Sequence, residues 1–274
     1  MGKNSRQFYL NVFFVGFISS LLLMASGLFL GTISIDDELN LTARYFGGIG
    51  RGLWGLELIT YLLPGQLGIS FAPIFIGCAF YALSSTILVW IWGLRDQTIA
   101  AVCSAIIGCF PYFASMMTFD VVQIAYPIGF VFIVSSLLPV FRDSTNYLYL
   151  FLGALGFAFA FACYQGVSTS FVTAFASAAG MRFLLHPDKT DGFRNFWLKH
   201  APRGLAVALL GGVLYLASDK LAQRLFPHHA WGDAYKVKFV FDFWEKSRFD
   251  AIVNSNNPWP TDFKIRNPRR RSIY

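Results

Sequence analysis

The sequence predicts an all-α integral membrane protein, a polytopic helical bundle of about seven transmembrane helices. Three observations carry that prediction. The 274 residues are 55% hydrophobic and only 14% charged, whereas soluble domains carry about 25% charged residues. Apolar runs of the length that crosses a bilayer, about 20 residues, recur along the chain. The basic residues between those runs fall mainly on alternate loops, the sorting that orients membrane helices.

The spans read as 8–33, 68–94, 97–118, 121–141, 146–164, 166–185 and 204–222. The first is too long for the apolar core of a signal peptide and ends in no small-residue cleavage site, so it is a retained anchor. Cys109-Phe110-Pro111-Tyr112 interrupts the third, and Ser168, Thr169, Ser170 and Thr173 dilute the sixth. The stretch from Leu39 to Leu63 is too polar and glycine-rich to span. Its apolar residues recur at helical spacing, with Trp54 and Tyr61 as interface anchors, and predict two short amphipathic helices on the membrane joined at the glycines. The expected organisation is a transmembrane domain over 1–225, with a first non-cytoplasmic loop at 34–67, followed by a basic tail over 226–274.

With the N-terminus in the cytoplasm, Lys3, Arg6, Arg95, Arg142, Arg182, Lys189, Arg194, Lys199 and Arg203 share one side. The other side, up to the sixth span, holds only Arg44 and Arg51. The positive-inside rule supports that orientation. The formal charge of +7 is thus a topology signal, and no aromatic-basic surface argues for nucleic acid. Cys78, Cys103, Cys109 and Cys163 all lie within apolar runs without metal-ligand spacing and read as small buried hydrophobes. His228-His229 has no partner at metal-binding spacing, and Asn40-Leu41-Thr42 is a sequon of a kind common by chance.

The residues that suggest chemistry converge on the non-cytoplasmic face. Asp36-Asp37-Glu38 sits at the mouth of the first helix, where charge is costly deeper in the bilayer and marks either a reaction centre or a stop signal. A carboxylate fixed there suits a base that takes a hydroxyl proton, as sugar transfer from an activated lipid donor requires. Asp36 and Asp37 are therefore the candidate catalytic pair. The second acid would orient an acceptor, stabilise cationic character at the sugar carbon, or bind a divalent metal; no cofactor is otherwise indicated. Glu38 lies beside them. Arg44 and Arg51 suit a lipid phosphate, through bidentate guanidinium contacts, or simple snorkelling. Gly47-Gly48-Ile49-Gly50-Arg51-Gly52 follows no strand and reads as a hinge rather than a phosphate loop. Trp54, Asp120, Tyr164 and Gln165 are polar or amphipathic residues on the same face, lining a substrate cavity or capping helices.

Ile33-Ser-Ile-Asp-Asp-Glu38, Gly50-Arg-Gly-Leu-Trp54, Cys109-Phe-Pro-Tyr112 and Ala162-Cys-Tyr-Gln-Gly166 together resemble the Gtr II family, the phage-type serotype-converting O-antigen glucosyltransferases, over about residues 8 to 220. An Asp-Asp motif after the first helix is shared with the wider GT-C class. The resemblance implies a multi-pass enzyme of the bacterial inner membrane that takes glucose from an undecaprenyl-phosphate carrier. It adds that sugar to the O-antigen of lipopolysaccharide on the periplasmic face. A small flippase and a carrier-charging transferase are the implied partners besides the bilayer. Carried over, Asp36 or Asp37 is the base, and the segment from Arg44 to Trp54 lies near the donor. Members of the family are usually longer, with further spans and a periplasmic domain, so an inactive truncated remnant stands as one alternative. A transporter or flippase stands as another, weakened by spans nearly free of charge and halves without mirror symmetry.

Overall fold

The computed structural model describes residues 3–25, 49, 52–62, 71–110, 124–142, 146–185 and 193–226. All of these belong to one compact unit, Met1–Tyr235; a second, Lys236–Tyr274, lies outside the described residues. The described elements are α1 (Lys3–Leu23), α2 (Trp54–Leu62), α3 (Phe71–Trp92), α4 (Gln97–Gly108), α5 (Ala125–Ser136), α6 (Leu138–Phe141), α7 (Tyr147–Cys163), α8 (Val167–Leu185) and α9 (Phe193–Leu225). Among the described residues there is no strand.

Among the described residues, three helices are long and apolar enough to cross a membrane: Ser5–Leu23, Ala72–Trp92 and Phe196–Leu225. Gln97–Gly108, Ala125–Phe141 and Tyr147–Cys163 are apolar but shorter. The outer surface agrees with a lipid setting, since Leu22 and Val172 are 71% and 67% exposed amid many other large apolar side chains, far more than a water-facing surface tolerates.

The helix bounds differ from the expected spans in instructive ways. The third stops at Gly108, where the Cys109 and Phe110 amides close onto the carbonyls of Ala105 and Ile107, just before Pro111 denies the ladder a donor. The fourth breaks at Leu137, because Pro139 in the first turn of α6 cannot donate to an earlier carbonyl. The sixth is continuous despite its hydroxyls: Ser168, Thr169, Thr173 and Ser177 donate to carbonyls three or four residues back, which satisfies these four within the helix. The seventh begins eleven residues before its expected start, running through Pro202 for 33 residues, about 50 Å at 1.5 Å per residue. That exceeds a hydrocarbon core of about 30 Å, so part of α9 stands beyond it. Of the two short helices expected between Leu39 and Leu63, the second is α2; the first lies outside the described residues.

Small residues let the helices approach. Where α1, α3 and α4 meet, Ser104 Oγ donates to the Val12 carbonyl at 3.0 Å and lies 2.7 Å from Ser85 Oγ. A Cβ on Gly16 would collide with Ser104 Oγ, and one on Gly108 would come within 2.7 Å of the Gly16 carbonyl oxygen. Lipid offers helices no hydrophobic reason to associate, so close packing and hydrogen bonds of this kind hold the seam. The main core is formed by α3, α5, α7 and α8, with Ile133, Val134 and Leu137 fully buried. Helix α9 lies along α7, where Gly211 abuts the Phe157 ring and the Ala154 carbonyl.

Basic residues gather at one end. Arg182 donates from Nε to the Ile91 carbonyl at 2.6 Å and from Nη1 to that of Phe141 at 2.8 Å. Arg203 donates to the Arg142 carbonyl, and His200 Nδ1 lies 2.8 Å from the Val140 carbonyl oxygen. Phe8 and Val12 of α1 pack with Leu94, Ala100 and Met181 at the same end. The C-terminal halves of α1, α4 and α7 therefore point the other way.

Candidate functional site

At that opposite end, three segments distant in sequence are tied at one hydroxyl. Gly52 precedes α2 with φ of +78°, in the left-handed region that favours glycine; its amide donates to the Ile49 carbonyl at 3.2 Å. The turn aims the Gly52 carbonyl at α9, where Tyr215 Oη donates to it at 3.1 Å. Gln165 Nε2, just past α7, donates to the same Tyr215 oxygen at 3.1 Å. One phenol thereby joins the start of α2, the end of α7 and the middle of α9. A Cβ on Gly52 would collide with Tyr215 Oη, so both the conformation and the space require glycine.

Helix α2 then docks along α7. A Cβ at Gly55 would stand 2.9 Å from the Ala162 carbonyl carbon and the Cys163 amide nitrogen, which makes this a backbone-to-backbone approach only glycine permits. Leu56 and Ile59 are buried against Ile124, Ala125 and Cys163. Trp54 packs edge-on against Phe159, ring centroids 5.8 Å apart, and its indole nitrogen is buried without a hydrogen-bond partner. Tyr164 meets Tyr126 edge-on at 5.6 Å. One turn beyond Tyr215, Asp219 accepts from Gln223 Nε2 at 2.9 Å through Oδ2, while Oδ1 is buried and unsatisfied. Asp219 and Lys220 end the apolar run of α9, and a carboxylate with one oxygen buried and unpaired is costly enough to single out this end of the bundle.

The structure thus brings together three of the residues singled out in the sequence: Trp54, Tyr164 and Gln165 all stand at this end. Asp36, Asp37, Glu38, Arg44, Arg51 and Asp120 lie outside the described residues, as do the sequon and His228-His229. Among the described residues no cluster of three metal-ligating side chains occurs. Sequence reading missed Tyr215 and Asp219. The Asp219-Lys220 pair, a charged step inside an apolar run, was the available signal for the second; Tyr215 offered none. The four cysteines are free; Cys78 and Cys163 are buried as expected, but Cys103 is only partly buried and Cys109 is exposed.

The arrangement anchors the C-terminal end of the loop that carries the acidic triplet. The chain from Leu23 leaves at the end of α1, and Gly52 returns it to a fixed point between α7 and α9. Comparison with curated proteins and with solved structures finds no match in either. The family model described as glucosyl transferase GtrII matches residues 25–233, which includes the acidic triplet, Gly52, Trp54, Gln165 and Tyr215. Well over half of the chain is matched, and the chain belongs to the GtrII glucosyl transferase family.

Proposed function

We propose that this protein transfers a hexose, glucose by its family, from a polyprenyl-phosphate carrier to the O-antigen of lipopolysaccharide at the periplasmic face of the inner membrane. One carboxylate of the Asp36-Asp37 pair takes the proton of the acceptor hydroxyl as its oxygen bonds to the anomeric carbon. The bond from that carbon to the carrier's phosphate oxygen breaks, and polyprenyl phosphate leaves with the electron pair. The neighbouring acid supports the cationic character that develops at the sugar carbon. Arg44 and Arg51 meet the carrier's phosphate, and Trp54, Tyr164 and Gln165 bound the sugar-binding space.

The family match over residues 25–233 is the observation that carries this reading. The clamp at Gly52 supports it, because a loop that must present a base to a sugar needs both ends held. The positive-inside rule assigns the arginine-rich end to the cytoplasm, and so the reacting end to the periplasm. A small flippase and a carrier-charging transferase would supply the donor. The test is lipopolysaccharide mass spectrometry in cells that make the charged carrier and a defined O-antigen. A hexose added by the wild type and lost in Asp36→Asn or Asp37→Asn, at equal membrane level, supports the proposal. A well-expressed wild type that adds no mass across several O-antigens refutes it in favour of a transporter or an inactive form.

A further inference from the structure

A groove of about 1230 Å³ runs along α7 between α5 and α9, larger than the ~300–1,000 Å³ of ordinary small-molecule pockets. Its walls are apolar, with Phe132, Leu138, Leu152, Leu155 and Phe159 among them. Arg142 and Arg182 line one end and Trp54 the other, and no Asp or Glu is among the described lining residues. The guanidinium carbon of Arg142 lies 4.5 Å from the centroid of the Tyr149 ring, and that of Arg182 lies 5.2 Å from the Phe141 ring. Arg203 is drawn to the same corner by its bond to the Arg142 carbonyl. Two cations therefore line the mouth of a hydrocarbon slot, with a third anchored beside them.

We infer that this groove is a binding site for an anionic glycerophospholipid, its phosphate on Arg142 and Arg182 and one acyl chain laid along α7. Charge selects the headgroup: the exposed Arg142 guanidinium pairs with phosphate through parallel N–H bonds, while Arg182, whose Nε and Nη1 already serve the Ile91 and Phe141 carbonyls, adds its charge and remaining N–H groups. Length selects the chain. The α7 side of the groove runs from Tyr149 to Phe159, about 15 Å at 1.5 Å per residue, which matches one leaflet's half of a ~30 Å hydrocarbon core. A reacting carrier lipid fits less well, since the arginines stand at the end opposite Gln165 and Tyr215; that clause rests on the function proposed above. Basic pockets between helices are a recurrent way for membrane proteins to hold such lipids.

The test uses the full chain purified in nonionic detergent, with no sugar donor present, so its outcome is independent of transferase activity. Phosphatidylglycerol or phosphatidylcholine of equal chain length is added, and bound lipid is counted by native mass spectrometry. Wild type is expected to hold phosphatidylglycerol about tenfold more tightly, the scale of one charge-assisted hydrogen bond. Arg142→Gln, at an exposed position, should reduce that preference several-fold. Gly156→Leu should weaken both lipids by filling the slot, since a Cβ there meets only ordinary contacts at 3.4 Å and beyond. Equal retention of the two lipids by wild type, or undiminished preference in Arg142→Gln, overturns the inference. So does displacement of phosphatidylglycerol by equimolar polyprenyl phosphate, which would give the groove to the carrier.

Discussion

Removing the Tyr215 hydroxyl isolates what the clamp contributes. In Tyr215→Phe the ring keeps its packing against Phe161, 4.8 Å between centroids, while two hydrogen bonds vanish. Gln165 is exposed at the surface and finds other partners, but the carbonyl of buried Gly52 loses its donor. Leaving one buried acceptor unsatisfied costs about 1–3 kcal/mol, and interhelical bonds in membrane proteins average about 0.6 kcal/mol, so a loss of about 1–2 kcal/mol is expected. Gly52→Ala should cost more. A side chain at φ of +78° carries about 1–2 kcal/mol of strain, and its Cβ drives Tyr215 Oη away, which removes the same bonds again. The two substitutions therefore overlap. In the double variant the collision is gone, the Tyr215 Cζ distance of 3.5 Å from that Cβ being ordinary contact, and only the backbone strain is added. Denaturation in mixed micelles should find the double variant no less stable than Gly52→Ala alone, a coupling of about 1–2 kcal/mol. Strictly additive losses would show that Tyr215 and Gly52 do not act as one unit.

Three further outcomes are expected. Gly16→Ala should displace Ser104 and open the α1–α4 seam, lowering stability by about 1–3 kcal/mol; an unchanged melting temperature would contradict the close approach. Arg182→Lys should lose about 1.5–3 kcal/mol, because an ammonium cannot reproduce the fork that reaches the Ile91 and Phe141 carbonyls together; full stability in the lysine variant counts against that geometry. Asp219→Asn should be neutral or mildly stabilising in the same denaturation assay, since it replaces a charge whose Oδ1 is buried without a partner; a loss above about 1 kcal/mol would mean that the carboxylate has a partner the fold depends on.

What could be read in the sequence was whatever depends on local composition. The all-helical class and the run 146–164, which the structure trims by one residue at each end to α7, follow from apolar run length; the Asn146 side chain that accepts from the Leu148 amide closes the start of that helix. The gathering of Trp54, Tyr164 and Gln165 at one end followed from counting spans. Two helix limits went astray at prolines, Pro111 and Pro139, and a third did so for a tertiary reason. Pro202 reads as a break, yet α9 continues because Phe196 and His200 bury one face against Phe141. Tyr215 was illegible because its meaning lies in Gly52, 163 residues away. Ser85 and Ser104 likewise lie in separate apolar runs and drew no reading, whereas each is the other's partner. Seven full crossings were expected; three described helices meet the length and hydropathy for a span, and the rest are shorter or less apolar.

The most direct measurement of the central claim is hexose transfer by the purified full chain in vesicles, with only a glucosyl polyprenyl phosphate and an O-antigen oligosaccharide supplied. Wild type should release polyprenyl phosphate in step with glucosylated product, and Asp36→Asn or Asp37→Asn should abolish both without altering donor binding. Donor moved across the bilayer with no new glycosidic bond, or full transfer by both Asp variants, would contradict that claim.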